Sequence, residues 1–143
     1  MNIRLMTLHD ITEAAAIDKA AFAKPWSEKE FEDELDKDYS RYVILEDNGK
    51  AVGYGGIWCI YETAELIRIA VHPDVQRKGF ADAIMKNILS CAAECGCEHI
   101  LLEVRTSNTA AKGLYTKHCF RQIDLRPGYY DGEDAAIMER KLQ

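Results

Sequence analysis

Glu103, Tyr115 and the run Gln76-Arg77-Lys78-Gly79-Phe80-Ala81 are the parts of this sequence with side chains and spacing suited to chemistry. Strand alternation puts Ile100, Leu102 and Val104 on one face and Leu101, Glu103 and Arg105 on the other, so a carboxylate lies inside an otherwise apolar element. It either accepts a proton or forms a strand-end ion pair with Arg105 or Arg68, and periodicity alone favours the ion pair. Tyr115 shares a helical face with Ala111 and His118. On that spacing alone it is more readily a core residue than a proton donor.

The run Gln76 to Ala81 falls between an expected strand and an expected helix. Free N–H groups at a helix start converge on whatever lies in front of them, and an anion suits that place. Gly79 lets the main chain approach closely, Ala81 is nearly as small, and Arg77 and Lys78 add positive charge, a combination fit for a diphosphate. An ordinary solvated turn has the same composition. Neither GxxxxGK[ST] nor GxGxxG is present, so the nucleotide loops those patterns build are not expected.

These groups need elements to hold them. Residues 3 to 7 read as a first strand, and Asp10 with Glu13 forms a capping-box pattern ahead of Ile11, Ala14, Ile17, Ala21 and Phe22 at helical spacing. Ser27 with Glu30 repeats the pattern before a short second helix carrying Phe31 and Leu35. Tyr42 to Glu46 and Ala51 to Tyr61 flank Asp47-Asn48-Gly49-Lys50, a tight hairpin. Leu66 to Val71 is a further strand, Phe80 to Ala93 a helix, Ile100 to Val104 a buried strand, and Asn108 or Thr109 caps a helix reaching to about His118. Two final strands surround Arg126 to Asp134. The expected fold is α/β, a single domain over residues 1 to 143 with a mixed, mostly antiparallel central sheet and about four helices.

Composition narrows the function. With 24 acidic against 18 basic residues and a net charge of -6, broad adhesion to nucleic acid or anionic membrane is not expected, and a basic partner is. No apolar run approaches the roughly 20 residues needed to cross a bilayer, so a soluble protein is expected. Five cysteines, an odd number, and an opening Met1-Asn2-Ile3-Arg4 without a secretory core point to a reducing cytoplasm. Cys91, Cys95 and Cys97 lack a CxxC pair and read as buried free thiols rather than a zinc site. His72, His99 and His118 show no spacing for a metal or a catalytic dyad.

The stretch Ala64 to Ala83, with Ile69-Ala70-Val71-His72-Pro73 ahead of the Gln76 loop, resembles the signature of the GNAT N-acetyltransferase family. Pro25-Trp26-Ser27, Leu102 to Asn108, Leu114-Tyr115, Tyr129-Tyr130 and Glu133-Asp134-Ala135 are similar to its RimI type, which acetylates the N-terminal alanine of a small-subunit ribosomal protein. The resemblance implies acetyl-CoA as co-substrate, no metal, and a basic ribosomal N-terminus as partner. It implies that Ile69, Ala70 and Val71 hold the thioester end, that Gln76, Arg77, Lys78, Gly79, Phe80, Ala81 and Asp82 hold the diphosphate, and that Asn108 touches the cofactor besides capping its helix. It makes Glu103 the general base and Tyr115 the general acid, and places Trp26, Tyr129 and Tyr130 on loops that wall the acceptor. An N-terminal amine suits a weak base: at pH 7 roughly one-sixth of such amines are neutral, against under about a thousandth of lysines.

Two positions depart from the pattern. Arg68 stands where a neutral or acidic residue is usual, and a cation there would repel an arginine-rich tail. His118-Cys119-Phe120 replaces Leu-Gly-Phe, removing the glycine that closes the helix in the left-handed conformation. The other readings are an acetyltransferase for a small amine or an internal lysine, and a catalytically silent acyl-CoA-binding module.

Overall fold

The computed structural model describes residues 1–142. Four α-helices and seven strands follow one another as β1 (Asn2–Leu5), α1 (Ile11–Ala21), α2 (Glu28–Leu35), β2 (Ser40–Asp47), β3 (Lys50–Ile60), β4 (Thr63–Val71), α3 (Phe80–Glu94), β5 (His99–Arg105), α4 (Thr109–Lys117), β6 (Arg121–Tyr130) and β7 (Glu133–Lys141). The strands form one sheet in the order β1-β2-β3-β4-β5-β7-β6. Every pairing is antiparallel except β4 with β5.

Local chemistry explains most boundaries. Asn48 and Gly49 have φ of 54° and 75°, the positive values that let β2 and β3 join through a two-residue turn. Ser27 and Glu30 cap α2 reciprocally. The Asp10–Glu13 box does not form: Asp10 instead completes a box with Thr7, which ends β1 early in a short 3-10 turn before α1. Asp10 turns back because Arg4 is there, its guanidinium donating twice at 2.8 Å. The span Arg126 to Asp134, expected between two strands, is mostly strand itself, with only Asp131 and Gly132 in the turn.

Two cores sandwich the sheet. On one face α3 and α4 cover Val43, Leu45, Ile57, Leu66, Ile100, Leu102 and Val104. On the other α1 and α2 cover Tyr42, Ile44, Tyr54 and Ala70. The parallel pair β4–β5 is hydrogen-bonded only from Thr63↔His99 to Glu65↔Leu101. Beyond that point the strands diverge, and the gap opens through the middle of the sheet.

Candidate active site

The gap is a cavity of about 420 Å³. It is lined on one side by Leu66 to Ile69 of β4 and on the other by Leu102 to Arg105 of β5, with Asn108, Ala111 and Tyr115 of α4, Phe22 to Lys24 after α1, and Tyr130 at the end of β6. Glu103 and Tyr115 therefore face one space. They reach it from the two sides of the sheet, since Tyr115 belongs to the core beneath α3 and α4 while Glu103 sits on the opposite face of β5 from Leu102 and Val104.

Glu103 does form an ion pair, but with neither Arg105 nor Arg68. Its Oε1 accepts from Arg126 Nη1 at 2.9 Å. The Tyr129 hydroxyl lies against the same carboxylate, which raises the phenol's pKa. Both partners come from β6, whose pairing with β7 could not be read from the sequence around Glu103. Tyr115 is buried, its ring 5.8 Å from that of Phe120. Burial first, and Tyr130 second, push its pKa up to about 12, so at neutral pH it carries its proton. It is a core residue that also lines the cavity.

The cradle residues lie where the spacing expected them. Gln76, Arg77, Lys78 and Gly79 are exposed ahead of α3, while Phe80 anchors the helix in the core. Arg77 and Gly79 adopt φ of 68° and 81°, turning the chain so that the first amides of the helix face outward. A Cβ at Gly79 would meet nothing within 4 Å, so the space in front is open. Asp82 differs: its carboxylate bonds Lys117 Nζ at 2.9 Å and His118 Nε2 at 2.8 Å, tying α3 to α4 and leaving only its backbone for an anion. On β4, Ile69 lines the cavity, whereas Ala70 and Val71 do not, their side chains being buried in the two cores. Asn108 caps α4, accepting from Ala111 N at 3.1 Å, and also lines the cavity. These features fit a diphosphate carrier whose arm runs along β4.

A family model described as Acetyltransferase (GNAT) family matches residues 10–120. The chain belongs to the GNAT acetyltransferase family. It is an acetyl-CoA-dependent N-acetyltransferase, which sets aside the catalytically silent reading. It is 36% identical over 133 residues to the ribosomal protein bS18-alanine N-acetyltransferase of Escherichia coli K12, covering 90% of this chain and 89% of that one. It is 32% identical over 148 residues to the N-alpha-acetyltransferase RimI of Mycobacterium tuberculosis, covering 98% and 92%. The crystal structure of the Escherichia coli ribosomal-protein-S18-alanine N-acetyltransferase superposes with a TM-score of 0.92 at 34% identity, over 99% of this chain and 94% of that one.

The residues expected to wall the acceptor are arranged differently from expectation. Tyr129 and Tyr130 end β6 rather than sitting in a loop, and their rings meet edge to face at 5.0 Å. Trp26 is in the segment between α1 and α2, as expected. Arg68 is not a free cation: Nε and Nη2 bind the two oxygens of Asp18 at 3.0 and 2.8 Å, and Asp18 is fully buried. The repulsion expected from Arg68 is therefore largely cancelled. Asp18 and Arg126 are not among the expected site residues, and Phe22, expected on the apolar stripe of α1, instead leaves the helix in extended conformation and lines the cavity. Asp18 gave a signal, a carboxylate one residue after Ile17 on the buried stripe of α1.

Among the described residues no group of three or more His, Cys, Asp or Glu is placed to hold a metal ion, and no helix is long and apolar enough to cross a membrane. All five cysteines are free; of the three expected to be buried, Cys97 is buried, Cys91 half-buried and Cys95 exposed.

Proposed function

We propose that this enzyme transfers acetyl from acetyl-CoA to the N-terminal α-amine, that of alanine, of a small-subunit ribosomal protein, by direct attack. The observation that carries the reading is the convergence of Glu103 and Tyr115 on one cavity open between β4 and β5. The names of the two relatives support the acceptor class.

In this mechanism Ile69 to Val71 lend main-chain groups to the thioester arm and the amides of 76 to 82 hold the diphosphate. Glu103 takes the amine's proton directly or through water, with Arg126 and Tyr129 holding the carboxylate in place. Tyr115 faces the leaving sulfur. With a phenol near 12 and a thiol near 8.5, full transfer is uphill by about 5 kcal/mol, so Tyr115 stabilises the departing thiolate by donating a hydrogen bond. Trp26, Tyr129 and Tyr130 wall the acceptor, Tyr130 lining the cavity itself and Trp26 stacked on Arg68, which lines it too. The net charge of -6 suits a basic protein in the cytoplasm, without direct binding of nucleic acid or membrane.

The test is mass spectrometry of an alanine-first ribosomal N-terminal peptide, a lysine-bearing peptide blocked at its N-terminus, and a small polyamine, each incubated with enzyme and acetyl-CoA. Acetylation of the α-amine alone is expected. Faster modification of the lysine or the polyamine would overturn the acceptor.

A further inference from the structure

We propose that Arg68 is a positioning residue which fixes the Phe22–Trp26 segment across the cavity from Glu103 and thereby sets how tightly the acceptor is held. This rests on the acceptor reading above. It goes further, in assigning acceptor affinity to the ion pair of a cavity-lining arginine with the buried Asp18, a pair placed outside the proton transfers.

The arrangement begins with a register shift. β3 and β4 pair Gly56↔Arg68 but then Ile57↔Leu66, leaving Ile67 as an extra residue. The bulge reverses the alternation of β4. Ala64 and Leu66 point to the α3 face before it, Ile69 and Val71 after it, and Arg68 joins Ala70 on the α1 face. There Asp18 accepts from both arms of the guanidinium, from the Tyr54 hydroxyl and from the backbone N–H of Trp26 at 2.7 Å. Arg68 Nη2 also donates to Lys24 O at 3.3 Å, and its guanidinium carbon lies 4.3 Å from the Phe22 ring centre and 4.6 Å from that of Trp26.

The segment is anchored at its ends, by Phe22 N donating to Asp18 O at 2.9 Å and by the Trp26 ring meeting Phe31 edge to face at 5.3 Å, and is loosest between them. Phe22 to Pro25 are exposed and outside any helix or strand. In that middle part, Lys24 Nζ to Asp131 Oδ2 at 3.6 Å joins side chains 88% and 86% exposed, where water screens the attraction. Phe22, Ala23 and Lys24 line the cavity beside Arg68, so the fork and flat faces of Arg68 decide where that wall stands. Lysine supplies the charge without the fork or the stacking surface.

Arg68→Lys, Phe22→Ala and the double variant are compared with the parent in initial-rate kinetics, varying the amine that the parent acetylates, with acetyl-CoA affinity from calorimetry and folding from thermal melts. Each single change is expected to raise acceptor KM roughly tenfold, to leave kcat within about twofold and acetyl-CoA affinity unaltered, and to combine less than multiplicatively. An unchanged acceptor KM in folded Arg68→Lys, or a loss confined to kcat, overturns the proposal. Should Arg68→Lys fail to fold, Phe22→Ala decides in its place, because it leaves the ion pair whole, and an unchanged KM there has the same force. A parent that prefers another amine sinks the proposed acceptor but not the role of Arg68, whose KM effect is then read on that amine.

Discussion

Glu103 Oε1 is held by Arg126, and Tyr129 lies against the same carboxylate. Glutamine at this position keeps an acceptor for Arg126 but cannot take a proton. Glu103→Gln should therefore lower kcat by roughly 10²- to 10⁴-fold while calorimetry shows acetyl-CoA binding as before. Full turnover in that variant would remove Glu103 from the proton path. Tyr115 offers a different balance. Its ring belongs to the core and the proposed mechanism uses only its hydroxyl, so Tyr115→Phe keeps the packing. As a single hydrogen bond to a developing anion, the hydroxyl is expected to be worth roughly 10²- to 10³-fold in kcat, with the melting temperature nearly unchanged. A phenylalanine variant as fast as the parent would leave Tyr115 a core residue and nothing more.

Elements place these groups, and the end of α4 is where sequence and structure differ most instructively. The missing glycine was expected to change the helix geometry. Instead Cys119 takes φ of 68° itself, and the chain turns as a glycine would turn it. The turn survives because His118 and Phe120 on either side are buried, His118 bonded to Asp82 and its carbonyl accepting from Arg140 Nη1 at 3.0 Å. A side chain in the left-handed region costs about 1 kcal/mol. Cys119→Gly should raise the melting temperature by a few degrees, with kinetics unaltered. A lower melting temperature would mean the thiol contributes more than its backbone conformation costs. Asp82 gives α3 a second duty, since the residue expected to face the diphosphate instead joins that helix to the one carrying Tyr115.

Across the whole molecule, several carboxylates tie distant segments together. Arg4 holds Asp10 down to about 2, against an ordinary 3.8. Asp82 is lowered by Lys117 and His118, Glu133 by Ser107 and Arg105, and Glu139 by His99. For Glu34, burial pushes upward but bonds from Lys37, Tyr42 and Trp58 outweigh it. Each such group stabilises the fold fully above its unfolded pKa and loses that contribution as pH falls through the folded value. Melting temperature should consequently fall from about pH 5 towards pH 2. Asp10→Asn should remove up to about 2 kcal/mol of that dependence. A melting profile equally steep in parent and variant would show that Arg4 and Asp10 do not couple folding to pH.

The sequence by itself determined much of what is local: the Ser27 and Asn108 caps, the Asn48-Gly49 turn, and the order of helices and strands, because each depends on residues within a few positions of one another; the Asp10 cap failed because Arg4 draws the carboxylate away. It also determined the candidate pair Glu103 and Tyr115, through their resemblance to a family rather than through periodicity. Tertiary structure alone decided which charges meet. Arg126 reaches Glu103 across 23 residues and Arg68 reaches Asp18 across 50. The one-residue bulge at Ile67 decides on which face Arg68 emerges, and alternation read along β4 alone cannot show a shift set by pairing with β3. Where β4 and β5 part, and so where the cavity lies, is likewise a property of two strands together.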